Sequence, residues 1–174
     1  TNEYPFLIGA RGISVLPITS LTLDHEVFSE RVSTGINGLD MMLGGAGVYR
    51  GCSLLISGTP GTGKSSIAAA FGDAACARGE RAILFAYEES RNQLVRNMQS
   101  IGIKLQRWID KGLLQIEATR PTLQGLEQHL VHMYNLVSEF KPSVVAVDPI
   151  SNLTSHQNDA DLSLTLMRLI DFLK

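Results

Sequence analysis

Gly58-Thr59-Pro60-Gly61-Thr62-Gly63-Lys64-Ser65 fits the pattern G-x-x-x-x-G-K-[ST], a loop that cradles nucleotide phosphates. Each position has a physical task. The glycines let the backbone curl until successive N–H groups face an anion. Lys64 can reach the β- and γ-phosphates, and the Ser65 hydroxyl can ligate Mg²⁺. The flanks fit the motif. Ser53-Leu54-Leu55-Ile56-Ser57 predicts a short buried strand before the loop. Ser66-Ile67-Ala68-Ala69-Ala70-Phe71 predicts a helix after it, with the positive end of its dipole at the phosphates. Strand, loop and helix in that order form the confirming context. The candidate nucleotide-binding residues are therefore Gly58, Thr59, Pro60, Gly61, Thr62, Gly63, Lys64, Ser65 and Ser66.

Strand-like runs recur downstream at Ala82-Ile83-Leu84-Phe85-Ala86, Leu113-Leu114-Gln115-Ile116-Glu117 and Val144-Val145-Ala146-Val147-Asp148. Between them, 67–78 reads as a helix ending at Gly79, 90–101 as one ending near Gly102, and 122–140 as one ending before Pro142. Repeated strand–helix units with near-continuously apolar strands predict a buried parallel sheet with crossover helices. The expected fold class is α/β, a three-layer phosphate-loop architecture around a mainly parallel sheet. Residues 1–30 carry no strong periodicity, though Ile13-Ser14-Val15-Leu16 predicts an extended piece. They are expected to be a linker or the tail of a preceding domain, with 31–174 the ATP-binding domain. The run Leu162, Leu166, Leu169, Ile170, Leu173 has helical spacing and leads into no strand, so the domain is expected to be truncated at its C-terminus.

The 174 residues suffice for one domain with a core. Hydrophobic residues make up 44% and charged residues 18%, as in soluble globular proteins. A net charge of −2 argues against a surface that coats nucleic acid. Cys52 and Cys76 lack metal-type spacing and read as reduced thiols. No apolar run reaches membrane-spanning length and no secretory pattern is present, so a cytoplasmic protein without membrane contact is expected.

Phosphoryl transfer needs a metal anchor and a base besides the loop. Asp148 ends the apolar strand at 144–147 and can hold the Mg²⁺ shell opposite Ser65. Glu88-Glu89 follow the strand at 82–86, and ligands of open parallel sheets sit beyond the carboxyl ends of strands. Glu88 is the stronger candidate for the base, Glu89 the second, and Lys64 completes the catalytic set. Both glutamates would also suit the first turn of a helix. Arg91 and Arg96 read as a solvated face, His129 and His132 as surface residues, and Trp108 as packing.

Arg31-Val32-Ser33-Thr34-Gly35-Ile36-Asn37-Gly38-Leu39-Asp40, then Gly44-Gly45 and the phosphate loop, resemble the RecA-like ATPases, among them the KaiC and RadA-type families. Phe85-Ala86-Tyr87-Glu88-Glu89-Ser90, followed by Gln93-Leu94-Val95-Arg96-Asn97, is similar to the KaiC circadian clock family, in particular its second, autokinase-type domain. Glu3-Tyr4-Pro5-Phe6 with Gly12-Ile13 and Pro17 resembles the join between that family's two domains. The resemblance implies a two-tiered hexameric ring that binds ATP between neighbouring subunits. It implies a slow ATPase that transfers phosphate to its own Ser and Thr, and leaves room for regulatory protein partners. It casts Glu88 as the base, Glu89 as its assistant and Asp148 as the Mg²⁺-site acid. The acceptor hydroxyls and the neighbour-reaching Arg and Lys would lie past residue 174. Ile101 stands where the family has an aromatic residue near the adenine, and Pro149 where a hydroxyl residue often follows the acid. Two other functions fit the same loop: a RadA-type DNA-repair ATPase and a non-catalytic ATP-dependent oligomerisation module.

Overall fold

The computed structural model describes residues 6–9, 12–15, 27–119, 126–153, 167, 169, 170 and 173. In chain order the elements are β1 (Phe6–Gly9), β2 (Gly12–Val15), β3 (Arg31–Val32), α1 (Asn37–Met42), β4 (Val48–Tyr49), α2 (Lys64–Ala77), β5 (Ala82–Ala86), α3 (Arg91–Ser100), α4 (Gln106–Asp110), β6 (Leu114–Ala118), α5 (Leu126–Phe140) and β7 (Val144–Asp148). A 3₁₀ turn follows at Ile150–Leu153. The chain divides into two units. One holds Glu26–Thr119 and Pro142–Pro149; the other holds Thr1–His25, Arg120–Lys141 and Ile150–Lys174.

The first unit is built on a parallel sheet in the order β6-β5-β7, with Ala82 opposite Leu114 and Val144, and Ala86 opposite Ala118 and Asp148. All five residues of β5 are buried, which explains a strand apolar from end to end. Ala82, Leu84 and Ala86 share a core with Ala69, Ala75 and Cys76 of α2, Leu94 and Met98 of α3, and Trp108 of α4. Small residues let α2 lie close to the sheet. A Cβ on Gly72 would stand 3.4 Å from the Leu84 side chain. The helix ends in a left-handed glycine, Gly79, with Gly79 N donating to Cys76 O and Glu80 N to Ala75 O.

A second, antiparallel pair, β3 with β4, frames a knot around Asp40. The hydroxyls of Ser33 and Thr34 and the Thr34 amide all donate to the Asp40 carboxylate. Burial alone would raise this acid, but those three bonds hold it below the ordinary carboxylate range. Gly35, at φ 81°, docks the knot on α2: a Cβ there would stand 2.8 Å from the Ala70 carbonyl and 2.9 Å from Ala74 Cβ. Arg31 donates to the carbonyls of Leu43 and Gly47 and lies over the Tyr49 ring.

In the other unit, β1 pairs antiparallel with β2, in keeping with the extended piece expected near residue 13, and α5 lies against β1. Leu169 is buried.

The α/β architecture on a parallel sheet is as expected, and β5 and β7 have the expected bounds. One expectation fails. Residues 53–57 form no ladder among the described residues; Leu54 and Leu55 are 45% and 80% exposed. An apolar run becomes a strand only beside a partner edge, and among the described residues none runs along it. Strand β6 starts one residue later than its apolar run: the Leu113 amide donates back to the Trp108 carbonyl and closes the turn after α4 before the ladder begins. The helix expected at 122–140 is present over Leu126–Phe140, with 122–125 outside the described residues; of the run expected at 162–173, only 167, 169, 170 and 173 are described, all of them helical.

Candidate functional site

The phosphate loop ends in two left-handed glycines, Gly61 at φ 84° and Gly63 at φ 89°. A Cβ at either would meet nothing within 4 Å, so the requirement is conformational and the face beside them is open. Thr62 braces the curl by donating its hydroxyl to the Thr59 carbonyl at 2.8 Å, and Gly58 leaves room for that hydroxyl. The Lys64 ammonium donates to the carbonyls of Gly58 and Thr59 at 2.8 and 2.9 Å, which holds its charge over the loop. Gly63 caps α2 without a side-chain bond, and the first helical hydrogen bond runs from Ile67 N to Gly63 O. The amides of Lys64, Ser65 and Ser66 therefore precede the helical ladder and are free of it. Curled backbone, uncommitted amides, an ammonium and the Ser65 hydroxyl together suit a polyphosphate.

The loop lies toward the carboxyl ends of the strands. Helix α2 meets the beginning of β5 late in its course, at Gly72 and Cys76, so its first residue lies toward the far end of the sheet. At that end Tyr87 N donates to the Asp148 carbonyl and Thr119 N to the Ala86 carbonyl. Burial raises the Tyr87 phenol well above its ordinary value, and the charge of Glu117 adds to this. A neutral, buried Tyr87 thus fixes the point where Glu88 and Glu89 leave the sheet beside Asp148. Glu88 is exposed and Asp148 half-buried. Glu89 is held: its Oε1 accepts from Asn97 Nδ2 at 3.1 Å, and its Oε2 is buried without a hydrogen-bond partner among the described residues. Helix α3 begins with a capping box in which Ser90 and Gln93 bond reciprocally, so the segment after the glutamates is rigid at once.

Other sequence readings divide. Arg91 and Arg96 are exposed, as expected. Trp108 is packing: it is 8% exposed and its Nε1 donates to Asp73 at 2.6 Å. Cys76 is buried, and burial pushes its thiol up to about 11, the charge of Asp73 adding to this. His129 is not a surface residue; it is 3% exposed, because α5 is covered on most sides along this stretch. His132 is half-buried. Two features escaped a reading by residue type. Asn97 entered only as part of a similar segment, and Asp40 only as the end of one, although Ser33-Thr34 so close before an acid is a hydrogen-bonding signal.

Among protein families, residues 32–174 match the model described as "ATPase: KaiC". The chain is 54% identical over 173 residues to the circadian clock protein KaiC2 of Synechocystis sp., covering 99% of this chain and 30% of that protein. It is 44% identical over 152 residues to the circadian clock oscillator protein KaiC of Acaryochloris marina, covering 87% of this chain and 29% of that protein. The same identity and coverage of this chain hold for the circadian clock oscillator protein KaiC 1 of Synechocystis sp.. The chain thus spans under a third of the length of these relatives.

Proposed function

The chain belongs to the KaiC family of ATPases, and from that premise we propose that it supplies the phosphate-binding side of a Mg²⁺-dependent ATP site that hydrolyses ATP and phosphorylates the protein's own Ser and Thr residues. The observation that carries this reading is the curled loop at 58–65, with Lys64 held over its carbonyls, toward the sheet end from which Glu88, Glu89 and Asp148 emerge.

The roles follow from chemistry. Lys64 and the amides at the start of α2 bind the β- and γ-phosphates and offset the charge that builds on the departing ADP. Ser65 and Asp148 would hold Mg²⁺. A hydroxyl and a carboxylate are hard oxygen donors, the kind that Mg²⁺ takes alongside phosphate oxygens and water. Bound there, the ion would neutralise phosphate charge. Glu88, exposed at the strand end, accepts the proton of the attacking hydroxyl or water. The new O–P bond forms as the bond to the β,γ-bridging oxygen breaks, and ADP leaves. Glu89 assists Glu88.

The site is one side of a subunit interface in a homo-oligomeric ring, in our reading a hexamer that takes regulatory protein partners in the cytoplasm. No helix among the described residues is long and apolar enough to cross a membrane. Residues 1–30 serve as the tail of a preceding domain and 31–174 as the first part of the ATP-binding domain. The test uses full-length protein with ATP and Mg²⁺, following ADP release and phospho-Ser/Thr by mass spectrometry. ADP release without phosphorylation reduces the protein to an ATPase. Turnover that survives Glu88→Gln removes Glu88 from the role of base.

A further inference from the structure

We propose that Asn97 is a positioning residue of the ATP site, clamping the Glu89 carboxylate by one oxygen while Arg96 fixes the amide that does so; this rests on the phosphoryl-transfer reading above. Asn97 Nδ2 donates to Glu89 Oε1 at 3.1 Å, and Asn97 Oδ1 accepts from Arg96 Nη2 at 3.2 Å and Nε at 3.4 Å. The orientation of the amide is forced. A carboxylate only accepts and a guanidinium only donates, so the amide nitrogen must face Glu89 and the oxygen must face Arg96. Reversed, the amide would oppose acceptor to acceptor and donor to donor.

The clamp is mounted on a stiff element. The capping box fixes the start of α3, Leu94 and Met98 bury its inner face, and Gly102, at φ 91°, ends it with Ile103 N donating to Met98 O. Glu88 is exposed next door. The two glutamates are therefore unlike: one is free to follow a substrate, the other is set by the helix. The geometry gives Glu89 a further property. Its Oε2 is buried and has no hydrogen-bond partner among the described residues. An unpaired buried acceptor costs the desolvation of that atom, which is tolerated where chemistry uses it. The clamp thus engages Oε1 alone and leaves the lone pairs of Oε2 uncommitted. Arg96 is exposed, so the line Arg96–Asn97–Glu89 also joins the outer surface of α3 to this acid.

The test is a double-mutant cycle in the full-length protein, reading kcat for ATP turnover, the Kd of a fluorescent ATP analogue and the melting temperature. A misplaced catalytic group loses up to about 100-fold in rate. Asn97→Leu is expected to lower kcat at least about tenfold with Kd unchanged. Asn97→Gln should recover part of the rate, and Arg96→Gln should fall between wild type and Asn97→Leu. In a Glu89→Gln background, Asn97→Leu should cost nothing further, because the two act as one unit. An unchanged kcat in Asn97→Leu overturns the proposal and leaves the phosphoryl-transfer reading standing. So does a loss that repeats in full on Glu89→Gln, since Asn97 would then act on the fold. A wild-type protein that binds ATP without turning it over overturns the reading beneath, and this role with it.

Discussion

Asp40 and Cys76 show how burial decides the chemistry of a single side chain. Asp40 is 7% exposed and its carboxylate accepts from the hydroxyls of Ser33 and Thr34 and from the Thr34 amide, while the charge of Arg78 acts on it from further away. A carboxylate satisfied by hydroxyls and an amide needs its full charge, and an amide in its place would set a donor against those donors. Asp40→Asn is therefore expected to cost about 2 kcal/mol, read as a fall in the urea midpoint. An unchanged midpoint would show that the knot contributes nothing. Cys76 makes the opposite point. Its thiol, raised to about 11 by burial, carries almost no thiolate at neutral pH, whereas Cys52 is exposed. A thiol reagent at pH 7.5 should modify Cys52 in the folded chain and reach Cys76 only after denaturant is added. Labelling of both at equal rates would contradict the packing of α2 on β5 and β7.

At the scale of elements, local signals that need no partner were legible and those that need one were not. Gly79 and Gly102 both end helices in the left-handed conformation expected of them, since a C-terminal glycine acts within its own turn. Strands β5 and β7 matched their apolar runs because both lie in a sheet where every residue is enclosed or half-enclosed. The run at 53–57 has much the same composition and forms no ladder among the described residues, because pairing depends on a neighbouring edge and not on the run itself. Helix α4 escaped notice: five residues give too short a period, and its anchor is the long-range bond from Trp108 to Asp73. At the site, the loop, the glutamates and Asp148 were visible as residue types at strand ends, while the Asn97 tether was not, since it joins residues eight apart across a turn. Two substitutions test the local devices. Ser90→Ala should cost about 1 kcal/mol by removing the capping box of α3. Gly47→Ala should cost more. A Cβ there would stand 2.1 Å from the Val32 carbonyl at φ 81°, so the β3–β4 pair must open. Thermal melts that rank Ser90→Ala as the more damaging would contradict that geometry.

For the molecule as a whole, the acids that hold distant segments together make stability depend on pH in one direction. The Glu30 carboxylate is held below its ordinary 4.5 by the hydrogen bond and charge of Arg50. Burial would raise Glu80, yet hydrogen bonds from Arg50 and Arg78 bring it below the same value. Asp40 lies below its ordinary 3.8 for the reasons given. These contacts tie residues 30–50 to the loop after α2, and Arg78 also donates to the Ser33 carbonyl. Each acid binds its proton more readily when unfolded than when folded. Its contribution is therefore complete above its ordinary value and drains away as pH falls through the folded one. Stability should be nearly flat from neutral pH to about 5 and fall steadily below about 4.5. The single tryptophan, buried beside Asp73, reports the change. Urea midpoints followed by Trp108 fluorescence between pH 7 and pH 3 supply the curve. Salt separates the contributions: about 1 M NaCl shortens the screening distance to roughly 3 Å and should weaken the exposed Glu30–Arg50 pair, while the Asp40 knot, held chiefly by its hydrogen bonds from Ser33 and Thr34, loses only the smaller contribution of the Arg78 charge. Asp40→Asn should flatten the acid limb in both conditions. A midpoint that rises on acidification, or an acid limb unchanged in Asp40→Asn, would mean that these carboxylates do not govern the fold.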